Sequence, residues 1–142
     1  MTIIVKKVTQ LVSGAIFLFG IYILVHGHLT PGGGFAGGAL IAGAFILLIL
    51  SYGSDYLKLV DKEKGSALTE SVAIFGFLLF AAAGLLFGLK TFFYNFLPTG
   101  EIGKINSAGI IPFCNVLIGI EVAAALLSIF YAFLIYKEEV QK

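Results

Sequence analysis

The sequence predicts an all-α integral membrane protein with four transmembrane helices and a glycine-rich turn between helices 1 and 2. Three observations carry that prediction. Of 142 residues, 59% are hydrophobic and 12% charged, whereas soluble domains are about 45–50% apolar and about 25% charged. A chain this short would need a polar exterior to fold in water, and the residues for one are missing. Second, four apolar runs are long enough to cross a hydrocarbon core about 30 Å thick, which takes about 20 residues at about 1.5 Å each. Third, those runs are apolar on every face, whereas barrel strands alternate in polarity over about ten residues.

The first span covers residues 8–25 and holds no charge. Lys6 and Lys7 precede it as they would a signal peptide, but no small-residue cleavage site leads into a polar segment, so it reads as a retained helix. The second span, 35–52, is also uncharged. The connection at 53–67 carries Asp55, Lys58, Asp61, Lys62, Glu63 and Lys64 and reads as a solvated loop. The third span, 68–89, starts with Glu70, a carboxylate that a helix N-terminus and Ser66 or Thr69 would stabilise. Beyond it, Phe92, Phe93, Tyr94 and Phe96 read as an interfacial aromatic belt. The fourth span, 110–136, carries Glu121 inside it. Together, residues 1–142 form a single membrane domain.

All nine basic residues are lysines. Lys6, Lys7, Lys58, Lys62, Lys64, Lys137 and Lys142 fall on one side of this topology, and only Lys90 and Lys104 on the other. The positive-inside rule then puts both termini in the cytoplasm of a multi-pass cell-membrane protein. Without a basic block, nucleic acid is excluded as a partner. Cys114 is the sole cysteine, which rules out an intrachain disulfide and a cysteine-built metal site. No metal or cofactor is expected, since His26 and His28 alone make an incomplete ligand set.

Between the first two spans, Gly32, Gly34 and Gly37 happen to fit the dinucleotide pattern G-x-G-x-x-G. That pattern requires a strand before it and an amphipathic helix after it, and here two apolar spans flank it. The run Thr30, Pro31, Gly32, Gly33, Gly34, Gly37 and Gly38 instead favours bent backbone, which survives at membrane depth only where protein or water covers it. It is either a tight outer hairpin or a partly re-entrant turn packed against another subunit. Small residues four apart, Gly34 with Gly38 and Ala39 with Gly43, suggest a face on which a neighbouring helix sits closely. The plain alternative is a flexible connector. Histidine titrates near neutral pH, yet His26 and His28 sit at the interface, and hydrogen bonding to the glycine-rich backbone is their simplest role.

Glu121 lies at least about 10 Å below the interface, where a carboxylate costs about 2.5–3.5 kcal/mol on insertion scales. It must face a partner, a bundle interior or a water-filled path. Cys114, Glu121 and Ser128 recur at a heptad spacing and share one helical face, with Ala124 and Ala125 beside Glu121. Asn115 and Pro112 lie about one and a half and two and a half turns away, and the proline frees a carbonyl that could help coordinate a cation. An ion path and a structural hydrogen bond to a neighbouring helix both remain open for Glu121.

The stretch from His28 through Thr30, Pro31, Gly32, Gly33, Gly34 and Phe35 to Gly37 and Gly38 resembles the B subunit of Mrp-type sodium/proton antiporters. So do Ser107, Ala108, Gly109, Pro112, Asn115, Gly119 and Glu121 to Ala124. The resemblance spans nearly the whole chain, in the family's order. It departs at Ile110, where a threonine is usual. A similar subunit occurs in archaeal membrane-bound hydrogenases and related respiratory complexes. The resemblance implies a non-catalytic subunit among other membrane subunits of an antiporter or hydrogenase complex, in contact with lipid, that helps form a path for sodium ion or proton. The alternative is a purely structural packing subunit.

Overall fold

The computed structural model of the chain describes residues 2–53, 59–86, 91–104 and 107–140. Its helices are α1 (Ile3–His26), α2 (Gly34–Tyr52), α3 (Leu59–Leu86) and α4 (Ile111–Val140). All four are long and apolar enough to cross a membrane, and the chain is a multi-pass, all-α membrane protein. Large apolar side chains such as Leu11, Leu18, Phe75 and Phe133 point outward, as they can where the surroundings are hydrocarbon or other subunits.

Each boundary has a local cause. Thr2 caps α1, its hydroxyl accepting from the Val5 N–H at 3.5 Å, so the helix takes in Lys6 and Lys7 ahead of the apolar run. It ends where Gly27 and Pro31 interrupt helical pairing. Gly32 and Gly33, at φ 148° and 113°, adopt backbone that residues with a Cβ rarely enter, and α2 starts directly after them. At its far end Gly53 closes α2 with φ 93° and an N–H bond to the Ile49 carbonyl.

The third helix departs from expectation. The part of the expected solvated loop from Leu59 to Ala67 is helical, because lysine and glutamate are good helix formers and a helix can project past the hydrocarbon without exposing backbone. Ser66 and Thr69 therefore sit inside α3 and do not cap Glu70. The expected end of this span at 87–89 lies outside the described residues, as do Asp55, Lys58, Lys90 and Lys142.

In the bundle, α2 packs against both α1 and α4, α1 also touches α4, and α3 packs on α4. Glycines allow the close approaches. A Cβ on Gly37 would lie 2.9 Å from the Gly20 carbonyl of α1, and one on Gly38 would lie 2.5 Å from the Gly119 carbonyl of α4. Leu24 fills the space between Gly37 and Gly119. Farther down, Ile49 of α2 and Tyr131 of α4 form a buried cluster with Leu127 and Leu134. The Ser66 hydroxyl donates to the Ala124 carbonyl at 2.7 Å, and Phe80 stacks on Phe113 at 6.2 Å. Those two contacts fix the antiparallel register of α3 on α4.

The aromatic segment after α3 does more than line the interface. Phe93 donates its N–H to the Ala81 carbonyl at 3.0 Å and sets its ring 5.5 Å from Phe77, while Phe96 stacks on Phe80. The segment thus folds back along α3 before reaching α4.

Candidate functional site

Glu121 stands ten residues into α4 from Ile111, about 15 Å along the helix. It is half-buried, with no hydrogen bond or ion pair among the described residues. Glu70 on α3 shares both properties. The Ser66–Ala124 bond allows the two to be compared in depth. From Ser66 to Glu70 the chain advances about 6 Å along α3, and from Ala124 back to Glu121 about 4.5 Å in the same direction along α4. The carboxylates are therefore nearly level.

They also share a side. Gly65, Ser66 and Thr69 of α3, with Ile120, Ala123 and Leu127 of α4, line a groove of about 440 Å³ that Ile41 and Phe45 of α2 close off. Glu70 and Glu121 each lie one residue on from a groove residue, about 100° further around the helix. Both turn away from the groove, across the line of contact between α3 and α4, and onto the outer face. Two carboxylates at one depth on one face call for water, a cation or a donor from a neighbouring helix.

The heptad stripe below Glu121 continues to Ser128, whose Oγ is buried without a hydrogen-bond partner among the described residues. Cys114 is half-buried one heptad above. Asn115 and Pro112 do not join this stripe. Asn115 is turned toward the glycine-rich turn between α1 and α2, where a Cβ on Gly27 would lie 2.9 Å from its Nδ2 and one on Gly33 would lie 3.7 Å from its Oδ1. Pro112 sits in the first turn of α4, where its missing N–H disrupts nothing. The Ala108 carbonyl there accepts from Ile111 at 3.2 Å, so the free carbonyl expected from the proline is not at this position. Pro112 lines an apolar cavity of about 390 Å³ with Val25, Leu97 and Phe113.

The glycine-rich segment is a compact turn. The Thr30 N–H and hydroxyl both donate to the His26 carbonyl, at 3.0 and 3.1 Å. Gly34 and Gly38 receive α4, as their spacing suggested, whereas a Cβ at Gly43 would meet nothing within 4 Å. His28 binds elsewhere than expected: its Nε2 lies 3.4 Å from the Lys104 carbonyl, joining the turn to the α3–α4 connection. Because a carbonyl only accepts, Nε2 is the donor in that bond, and the buried Nδ1 has no hydrogen-bond partner among the described residues. His26 bonds the Tyr22 carbonyl of its own helix at 3.0 Å and stacks on the Tyr22 ring. Among the described residues no three His, Cys, Asp or Glu side chains gather to hold a metal ion.

A family described as a domain related to the MnhB subunit of Na+/H+ antiporter matches residues 4–128. The chain belongs to this family. It is 37% identical over 131 residues to an uncharacterised protein of Methanocaldococcus jannaschii, covering 88% of this chain and 49% of that protein. It is 37% identical over 89 residues to the B subunit of a Bacillus subtilis Na+/H+ antiporter, covering 63% of this chain and 54% of that one. Among solved structures, a chain of the membrane-bound sulfane sulfur reductase, an archaeal respiratory membrane complex, superposes with a TM-score of 0.73 at 35% identity. That match covers 91% of this chain and 56% of the other. The chain thus spans about half the length of the relatives it matches.

Three residues of this MnhB-related fold have roles that the sequence does not reveal. Glu70 reads there as a carboxylate capped at a helix start, and it lies instead inside α3. Ser66 carries the hydrogen bond between α3 and α4. Asn95 accepts from the Ile110 N–H at 3.2 Å and sets the beginning of α4.

Proposed function

We propose that the chain is a non-catalytic membrane subunit of a multi-subunit cation/proton antiporter module, and that its outer α3–α4 face borders a path for sodium ion or proton. The observation that carries this reading is the level pair Glu70 and Glu121, two carboxylates in apolar spans with no polar partner among the described residues. Intramembrane carboxylates are costly and belong beside water, an ion or a partner group. A face turned away from the chain's own bundle reaches those only at a boundary with another subunit. Ser128 extends the polar stripe, while His28, Asn115 and the turn from Thr30 to Gly38 hold the ends of α1, α2 and α4 together.

Family membership supports the subunit role. The lysine split supports a topology with both termini in the cytoplasm, which four antiparallel spans accommodate. A packing-only role is the second reading, favoured if the carboxylates meet fixed donors on a neighbouring helix. Recovering a tagged chain from its native membrane tests the subunit role: other membrane subunits should come with it, and deletion of the chain should abolish cation/proton exchange in vesicles. Recovery of the chain alone, with exchange unaffected by its deletion, contradicts the proposal.

A further inference from the structure

We propose that the groove between α1 and α2 binds one anionic phospholipid, with an acyl chain between the helices and the headgroup at Lys6. The groove holds about 370 Å³, within the range of about 300–1,000 Å³ found for small-molecule sites. Its walls are Ser13, Gly14 and Phe17 of α1 and Ala44, Phe45 and Tyr52 of α2, with the Phe17 and Phe45 rings meeting edge to face at 5.8 Å and closing its inner end. Gly14 faces open space, with no atom within 4 Å of where a Cβ would be. The Ser13 hydroxyl is already bonded to the Gln10 carbonyl at 3.1 Å, so the inner groove makes no polar demand on its occupant. An alkyl chain meets that condition.

The open end differs in character. Lys6, Gln10, Ser13 and Phe17 follow one face of α1 at helical spacing, so the line of groove residues continues outward to Lys6. Its ammonium lies 5.3 Å from the centre of the Tyr52 ring, directly over the residue that lines the mouth. Lys7 is beside it and exposed. The first turn of α1 holds no acidic residue, so the positive end of the helix dipole adds to two lysines with no carboxylate on that turn. Tyrosine and lysine at a span's end are interface residues, which puts this charge at headgroup level and the groove at acyl-chain level. A basic mouth over an apolar slot selects an anionic lipid over a zwitterionic one. A transmembrane helix in the slot would leave the lysine charge without a complement.

The test uses the chain in its purified complex, stripped of lipid in detergent and offered phosphatidylglycerol or phosphatidylcholine at equal concentration, with bound lipid counted by native mass spectrometry. Wild type should retain phosphatidylglycerol in preference. Lys6→Glu should cut that retention by about fivefold or more, the worth of at least one basic charge near an anionic headgroup, while phosphatidylcholine retention stays put. Gly14→Leu, which grows into open space, should lower retention of both lipids. If that variant does not assemble, Lys6→Glu alone decides. Equal retention of the two lipids by wild type, or retention unaffected by Lys6→Glu, overturns the proposal. So does crosslinking from Gly14→Cys to another subunit in place of lipid.

Discussion

Glu70 of α3 and Glu121 of α4 stand nearly level on one side of the contact between their helices, away from the groove that α2 covers. The Ser66–Ala124 hydrogen bond sets that level and the helical period sets that side. Neither carboxylate is satisfied within the described chain, so each depends on what the outer face meets.

The glycine contacts should be intolerant in a position-specific way. Gly38→Ala places a methyl against the Gly119 carbonyl and should cost about 1–3 kcal/mol, the usual range for overpacking. Gly43→Ala meets open space and should be neutral or slightly stabilising, since alanine favours helix. Thermal unfolding of the two variants in detergent, compared with wild type, reads the difference. Equal midpoints for both would contradict the packing described.

Ser66→Ala should be mild. It removes a single hydrogen bond between helices, worth on average about 0.6 kcal/mol in membrane proteins. The complex should assemble and transport should persist near the wild-type level. A collapse of subunit recovery would mean that this bond does far more than fix register.

Topology gives a third check. In a Cys114→Ser background, Glu101→Cys should react with a membrane-impermeant maleimide in intact cells, and Lys64→Cys should react only after permeabilisation. The reverse pattern would overturn the orientation drawn from the lysine distribution.

His28→Ala should loosen the link between the glycine-rich turn and the α3–α4 connection, seen as faster hydrogen exchange around Gly103 and Lys104 with helix exchange unchanged. His26→Ala, whose bond is to its own helix, should leave that connection as it is.

The four spans are legible in the sequence because hydrocarbon imposes a length and an all-round apolarity that composition alone reveals. Gly34 and Gly38 are legible for a similar reason, as small residues four apart signal a close helix whatever the fold. Glu70 is not, because its role turns on where α3 starts. The charged residues from Asp61 to Lys64 suggest a loop, and nothing local distinguishes a solvated loop from a helix that projects beyond the bilayer. Pairing Glu70 with Glu121 further requires the register between two helices, which depends on Ser66 reaching a backbone carbonyl and leaves no mark on the sequence. Asn115 and Glu121 share a helix, but their different azimuths send one to the turn and the other to the outer face.

The central claim rests on the charge of the level pair. Glutamine keeps the shape and hydrogen-bonding capacity of glutamate while removing its charge, so Glu121→Gln, Glu70→Gln and the double variant separate transport from assembly. Glu121→Ala reports on packing, because it leaves any neighbouring donor unsatisfied. The decisive measurement is cation/proton exchange in inverted vesicles, with subunit recovery scored on the same membranes. The account predicts a fully recovered complex with exchange reduced in each single variant and lowest in the double variant. Wild-type exchange by an intact double variant would contradict it and leave the pair with a packing role alone.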